Sequence, residues 1–506
     1  MQADRGFTLS HQKVALELGF SGVLAGFTEL TIMPSNAALR HIYLHARCMD
    51  IQRVLCNGQE VRFEHTDAVQ SLALSDIHGH AQLKRDLFSA TSQGAEGELR
   101  ISLPDHLRPE RVSSGTEGNA DGEEFSMMTI RIDYVLEDVH EAIQVIQPTA
   151  DAPYRVPHMY TRPLGLNSSR CWVPCLDSLW DRCTWELEYV VPRRLSVDMG
   201  DLDDETPEIY VISSGELTEH AMHPQNPEKS VFYYTQQVAT SVQHVAFCAG
   251  PFVMTRLSPA GLQTCETLSF CLPEHEHELR STTQFAWQAI EYISSEYGSY
   301  PFGSFKLVFV DGTHEDCHTA STLAICSSDL LHPPSVIDQA FENRHILSHA
   351  VAFQWVGINI IQKTWADTWL IHGLSQYLAS MFLRWLLGNN EYRFRMKKDC
   401  DRLCHWDIGM PPLYQAGRDE PLDPQLLSFV NLKAPLVLYL LDRRLCKMGA
   451  SLGLGRVIPK VFLQAITGEM SNNALGTHSF LRTCKKVSSA DLRLFMDQWI
   501  NGSGCP

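Results

Sequence analysis

The apolar periodicity of this chain changes once, near residue 260, and that change limits what it can fold into. Before it, apolar residues recur at every second position in short runs, the spacing of strands with one buried face. GFSGVLAGFTELTIMP (19–34), MTIRIDYVLE (128–137), CTWELEYVVP (183–192), VFYYTQQVA (231–239) and HVAFCAGPFVMTRL (244–257) all follow it. HIYLHARCMDIQRVLCNG (41–58) closes on Asn57-Gly58, a tight-turn dipeptide. After residue 260 the spacing becomes helical, starting with ELRSTTQFAWQAIEYISSEYG (278–298), which ends at a Gly suited to cap it. One buried strand follows at 305–312, then helical patterns over 338–357, 366–387, 390–404, 426–448, 455–467 and 488–500. The expectation is an α+β chain of two domains: residues 1–259, a β-rich saddle or sandwich, and residues 260–506, mainly α.

A chain of 506 residues can bury a core in each domain, and its 44% hydrophobic and 20% charged content is that of globular protein. No uncharged apolar run reaches the roughly 18–20 residues of a membrane helix. The first twenty residues lack the apolar core of a signal peptide, which points to cytosol or nucleus. Cys171/Cys175 and Cys400/Cys404 are the closest cysteine pairs, and with no third or fourth ligand at zinc-finger spacing they read as reduced thiols. A formal charge of −18 argues against a surface built to follow DNA phosphates along its whole length. RVSSGTEGNADGEE (111–124) and GDLDDETPE (200–208) read as acidic surface loops, and GASLGLG (449–455) as a helix–helix turn, not a phosphate loop.

Chemistry concentrates in HILSHAVAFQWVGINIIQKTWADTWLIHGLSQY (345–377). A helical H-E-x-x-H places two imidazoles on one face to grip a metal, with the Glu as general base. Read from His349, Ala350 stands at the base position and Phe353 at the second His, and His372 follows nineteen residues later. Ala accepts no proton, and a phenyl ring has no lone pair for a metal. His345, His349 and His372 are an alternative three-His set, but Ile346 then takes the base position; buried, hydrogen-bonded histidines are the simpler reading. His314, Glu315, Asp316 and His318 read as a solvated loop and Trp365 to Trp369 as packing core. Asp442-Arg443-Arg444 with Lys447 reads as a charge complement to a helix C-terminus, with a nucleic-acid contact as the sharper alternative.

Nearly the whole chain resembles the membrane-alanyl-aminopeptidase family of zinc metallopeptidases. The resemblance is carried by NSSRCWVPCLDS (167–178), YPFGSFKLVFV (300–310), Gln354, Trp355, Gly357, Trp365, Asp367, Trp369, Leu370, Gly373, Tyr377 and FMDQWI (495–500). It implies a thermolysin-like second domain. Its functional positions are altered here. The family's amine-binding G-A-M-E-N loop aligns with Thr319-Ala320-Ser321-Thr322-Leu323, placing Thr322 at the Glu. The oxyanion Tyr, two residues before Lys433, becomes Asn431, with Phe429 a second alignment. Among base, three ligands, amine anchor and oxyanion Tyr, only His349 is kept. This implies no catalytic residue, no metal ligand set and no cofactor. It resembles a non-catalytic branch of the family: nuclear scaffold subunits of a general transcription factor of RNA polymerase II. They work with the TATA-binding protein and its associated factors, and help engage core-promoter DNA. The alternative is a family member with residual peptidase or metal-binding activity. Such relatives continue into a β-sandwich and helical repeats, so a chain ending at NGSGCP (501–506) is expected to be either a fragment or the product of a truncated gene model.

Overall fold

The computed structural model describes residues 5–70, 72, 79–93, 96–110, 125–137, 139–162, 167–195, 207–259, 265–448 and 452–504. Residues 111–124, 200–206 and 449–451, on which the loop and turn expectations largely rest, lie outside that set. The chain divides into two compact units, Gln2–Val253 and Met254–Pro506 (with Met1 grouped in the latter).

The first unit is built on an eight-stranded sheet. Its spatial order is Glu216–His223, Asn226–Ser241, Arg182–Pro192, Phe7–Leu18, Leu24–Pro34, Met128–Leu136, Asp50–Cys56, Gln59–Glu60. The Phe7–Leu18 and Arg182–Pro192 strands run parallel, with Val14 opposite Leu187. Met128–Leu136 buries every second residue, including Ile130, Ile132 and Tyr134, as its alternation requires. Asn57 and Gly58 both have positive φ (48° and 80°) where the chain folds back to Gln59. Smaller sheets contribute Ile42, Leu99, Met159 and Phe247 to the same core, the sandwich arrangement. One helix, His80–Gln93, was not expected there.

The family-like Arg and Asp of the first unit serve structure. Arg170 is 8% exposed and donates to Asp177 and Glu98, both at 3.0 Å. Asp177 in turn accepts from Gln243 Nε2 at 3.1 Å, and its backbone N–H reaches His45 Nδ1 at 3.0 Å. Burial works against the guanidinium charge, but Asp177 and Glu98 outweigh it and hold the Arg170 pKa above its usual range.

The second unit opens with a sheet whose strands Glu266–Cys271, Ser304–Val310 and Leu323–Ser327 run parallel, with Cys317–Ala320 antiparallel at the edge. All seven residues of Ser304–Val310 are buried, as befits a central strand. Helices Asp338–Phe353, Thr368–Leu387, Asn389–Trp406, Pro424–Lys447 and Leu454–Ile466 follow. Three expectations need correction, and one helix needs a comment. The 278–298 helix is two, Glu276–Thr283 and Ala286–Glu296. The helix expected to 357 stops at Phe353, where the carbonyls of Phe353, Gln354 and Trp355 accept from N–H groups five residues on, and Gly357 has φ 140°. The pattern over 488–500 is interrupted at Ser489 (φ 56°), after the unforeseen helix Thr477–Ser488. Finally, Pro424–Lys447 is long and apolar enough to cross a membrane by length and composition, because Lys433 is the only charge before Asp442. Lys433 is fully buried and paired, Nζ to Asp407 Oδ2 at 2.8 Å, so this helix is packed as core.

Candidate functional site

Two helices, Asp338–Phe353 and Thr368–Leu387, position the residues that the sequence singled out, and the motif residues between them fix the geometry. Trp355 is 2% exposed and its Nε1 donates to the carbonyls of Gly298 (3.0 Å) and Ser299 (3.2 Å), while Tyr300 packs edge-on against its ring. Asp367 closes a capping box with Thr364 on the short turn Trp365–Asp367 that leads into the second helix and also accepts from the Thr477 N–H at 2.7 Å, while Trp369 Nε1 reaches Thr477 Oγ1 at 3.1 Å. Gly373 is required by close approach: a Cβ there would lie 2.9 Å from Ala434 Cβ on the Pro424–Lys447 helix.

Between these helices His349, Phe353 and His372 come together. The Phe353 ring lies 5.6 Å, centroid to centroid, from each imidazole, and so intervenes where a second histidine would close a ligand set. Gly357 makes room for it, since any Cβ there would fall 2.4 Å from the ring. Ser375 gives its single hydroxyl proton to the His372 carbonyl at 3.0 Å, so its 3.0 Å contact with His349 makes Nε2 of that ring the donor. Burial lowers the His349 pKa to about 3, with His372 adding a smaller effect. His372 is lowered to about 4 by burial, opposed by the Asn431 side chain. That opposition comes without a well-formed hydrogen bond, for His372 Nδ1 and Asn431 Oδ1 are both buried and unpaired among the described residues. His345 is lowered to about 4 by burial and Arg395; it faces the Glu342–Arg395–Glu391 ion cluster instead of the other two rings. All three imidazoles are neutral at pH 7. Their nitrogens do not gather within 4.8 Å of one another.

The loop aligned with the amine-binding segment is a hairpin whose two turn residues are Ser321 and Thr322. Thr322 has φ 58°, a left-handed conformation costly for a β-branched residue. Gln354, fully buried, holds the turn from outside: its Oε1 accepts from the Thr322 N–H (2.9 Å) and its Nε2 donates to the Ala320 carbonyl (2.8 Å). Sequence reasoning counted Gln354 as scaffold but missed this pairing, which spans thirty-two residues.

Elsewhere, His314, Glu315 and Asp316 are exposed, while His318 is on the edge strand and burial lowers its pKa to about 4. Trp369 is 1% exposed. At the helix end Asp442 accepts from the Leu454 N–H at 2.8 Å, and Arg443 and Lys447 are exposed. Cys171 and Cys175 are buried thiols, Cys400 and Cys404 exposed ones. Unforeseen was a group of Glu274, His275 and Asp311 with donor atoms within 4.8 Å of one another, beside the ends of two parallel strands.

The fold and this site together define a class: a protein with the two-part architecture of the zinc aminopeptidases. No family model matches the chain. Yeast LTA4 hydrolase superimposes with a TM-score of 0.70 at 15% identity, covering 100% of this chain and 70% of that one. An M1 zinc metallopeptidase from Deinococcus radiodurans gives a TM-score of 0.65 at 18% identity, over 99% and 95%. At such identities these neighbours define the fold. In sequence the chain is similar to transcription initiation factor TFIID subunit 2. It is 34% identical to that protein of Schizosaccharomyces pombe over 98% of this chain and 45% of the relative. The Drosophila melanogaster protein is 28% identical over 99% and 42%, and the Saccharomyces cerevisiae one 24% over 99% and 47%. The chain thus spans somewhat less than half the length of these relatives.

Proposed function

We propose that this chain is a non-catalytic scaffold subunit of TFIID. It acts in the nucleus with TBP and TBP-associated factors, and contributes to core-promoter recognition and RNA polymerase II preinitiation complex assembly. The observation that carries the loss of catalysis is the Phe353 ring between His349 and His372, with His349 Nε2 committed to Ser375. The donor set does not suit Zn²⁺, which needs three lone pairs converging on one point and, for peptide hydrolysis, a neighbouring base. Ala350 supplies no base, and the Thr322 turn offers no carboxylate to a substrate amine. The sequence similarity to TFIID subunit 2 supports the assembly. The division at residues 1–259 and 260–506 is kept as the functional one, a β-rich platform and a peptidase-shaped body.

Affinity capture of the chain from nuclei, followed by mass spectrometry, is expected to recover TBP and its associated factors; their absence would sink the assignment. Aminoacyl-coumarin hydrolysis with a zinc assay tests the alternative, a family member with residual peptidase activity. Turnover with stoichiometric zinc, both lost in His349→Ala, would favour it.

A further inference from the structure

The edge hairpin beside the site holds two thiols that neither the fold's chemistry nor the proposed role uses. Cys317 on Cys317–Ala320 and Cys326 on Leu323–Ser327 are register partners, and their sulfurs lie 3.1 Å apart. The Ser327 N–H donates to the Asp316 carbonyl at 2.9 Å, so residues 316 and 327 form a hydrogen-bonded pair of the ladder. Antiparallel pairs alternate, which makes Cys317 and Cys326 a non-hydrogen-bonded pair, the kind whose Cα atoms approach to about 4.5 Å. That separation falls inside the range a disulfide spans, about 4.4–6.8 Å, so the bond closes without moving the backbone. Exposure is unequal in a useful way. Cys317 is half-buried on the outermost strand of its sheet, where a small reagent reaches it, whereas Cys326 is fully buried.

We infer that Cys317 and Cys326 form a reversible modification site for low-molecular-weight disulfides such as oxidised glutathione. The Cys317 thiolate attacks one glutathione sulfur, forming a mixed disulfide and expelling one glutathione thiolate. Cys326 then loses its proton and attacks Cys317 Sγ, forming the protein disulfide and expelling the second glutathione. In balance, the two cysteines lose two protons and two electrons, and one oxidised glutathione becomes two reduced ones. The product is a covalent tie across the base of the hairpin that carries the Ser321–Thr322 turn. The inference stands apart from the assembly in which the chain works.

The test is direct because residues 307–344 contain no Lys or Arg before Arg344 and no cysteine besides these two. The intact, purified chain is treated with oxidised glutathione, alkylated with N-ethylmaleimide and digested with trypsin. That peptide should emerge lighter by two hydrogens and without maleimide, and should take two maleimides if reduced first. Its rate of double alkylation should fall at least about tenfold on oxidation. The exposed Cys400 and Cys404 report that the reagent acted. Cys326→Ser should leave Cys317 carrying glutathione, and Cys317→Ser should leave Cys326 reduced, with circular dichroism confirming that both variants fold. Two maleimides on the oxidised wild-type peptide, or one glutathione beside one maleimide, would overturn the assignment.

Discussion

Two polar clusters, one in each unit, were read from the same family resemblance, and they were kept for different reasons. In the first unit Arg170 remains charged while nearly buried, because two carboxylates meet it at 3.0 Å and their other oxygens accept from Gln243 (on Asp177) and from the Ala46 N–H (on Glu98). In the second unit His349 and His372, each half-buried, are neutral and separated by a phenyl ring, and burial holds their pKa values at about 3 and 4. A buried charge is tolerated only with complete partners, whereas a buried imidazole simply gives up its proton. The first cluster is therefore a structural requirement, and the second is a pair of neutral rings that Phe353 keeps apart.

The largest test of this contrast is Arg170→Met, which strands two carboxylates and should cost about 3–5 kcal/mol in urea unfolding. A loss below about 1 kcal/mol would mean that the cluster does not hold the unit together. Acidification should follow next. Above about pH 6.5 the histidines are neutral in both the folded and unfolded chain, so nothing is lost. As pH falls below that value, the unfolded chain takes up protons that the folded rings refuse down to about pH 3–4. Stability should therefore drop with pH, by about 2 kcal/mol per ring at pH 5. A stability profile flat between pH 7 and pH 5 would contradict neutral burial. Gln354→Ala removes two of the hydrogen bonds that hold the Thr322 turn and should cost about 1–2 kcal/mol, with faster hydrogen exchange at Thr322. His349→Leu at pH 7 should be the mildest, under about 1 kcal/mol, because it exchanges one neutral ring-sized group for another. It should also remove that ring's share of the acid sensitivity. A loss comparable to that of Arg170→Met would abolish the distinction.

Periodicity made much of the fold legible. Met128–Leu136 alternates cleanly, Asn57-Gly58 marks the turn between Asp50–Cys56 and Gln59–Glu60, and the helices around His349 and His372 carry long apolar faces. Helix Thr477–Ser488 was missed although its buried Thr477, Phe480, Leu481, Cys484 and Ser488 fall at helical spacing, because three of those five are small or polar and its other face is polar. The break between Glu276–Thr283 and Ala286–Glu296 falls in a stretch without Gly or Pro, so no residue announced it. At the site, spacing alone located His349, Phe353 and His372. Partners remote in sequence could not be read: Ser375 meets His349 across twenty-six residues, and Gln354 meets the hairpin across thirty-two.

The Thr322 turn bears on the order in which this molecule can change. Its conformation is unfavourable for Thr itself, and is held by the amide of Gln354 together with the Lys306 N–H, which donates to the Thr322 carbonyl at 2.9 Å. Replacing Thr322 by Gly or Asn therefore relieves the backbone and leaves the contour intact, in whatever background it arises. Replacing Gln354 first does the reverse, leaving a strained residue with two fewer hydrogen bonds to hold its turn. The two positions are not exchangeable steps: the amide is the lock, and the turn is free to drift only while the lock stays in place.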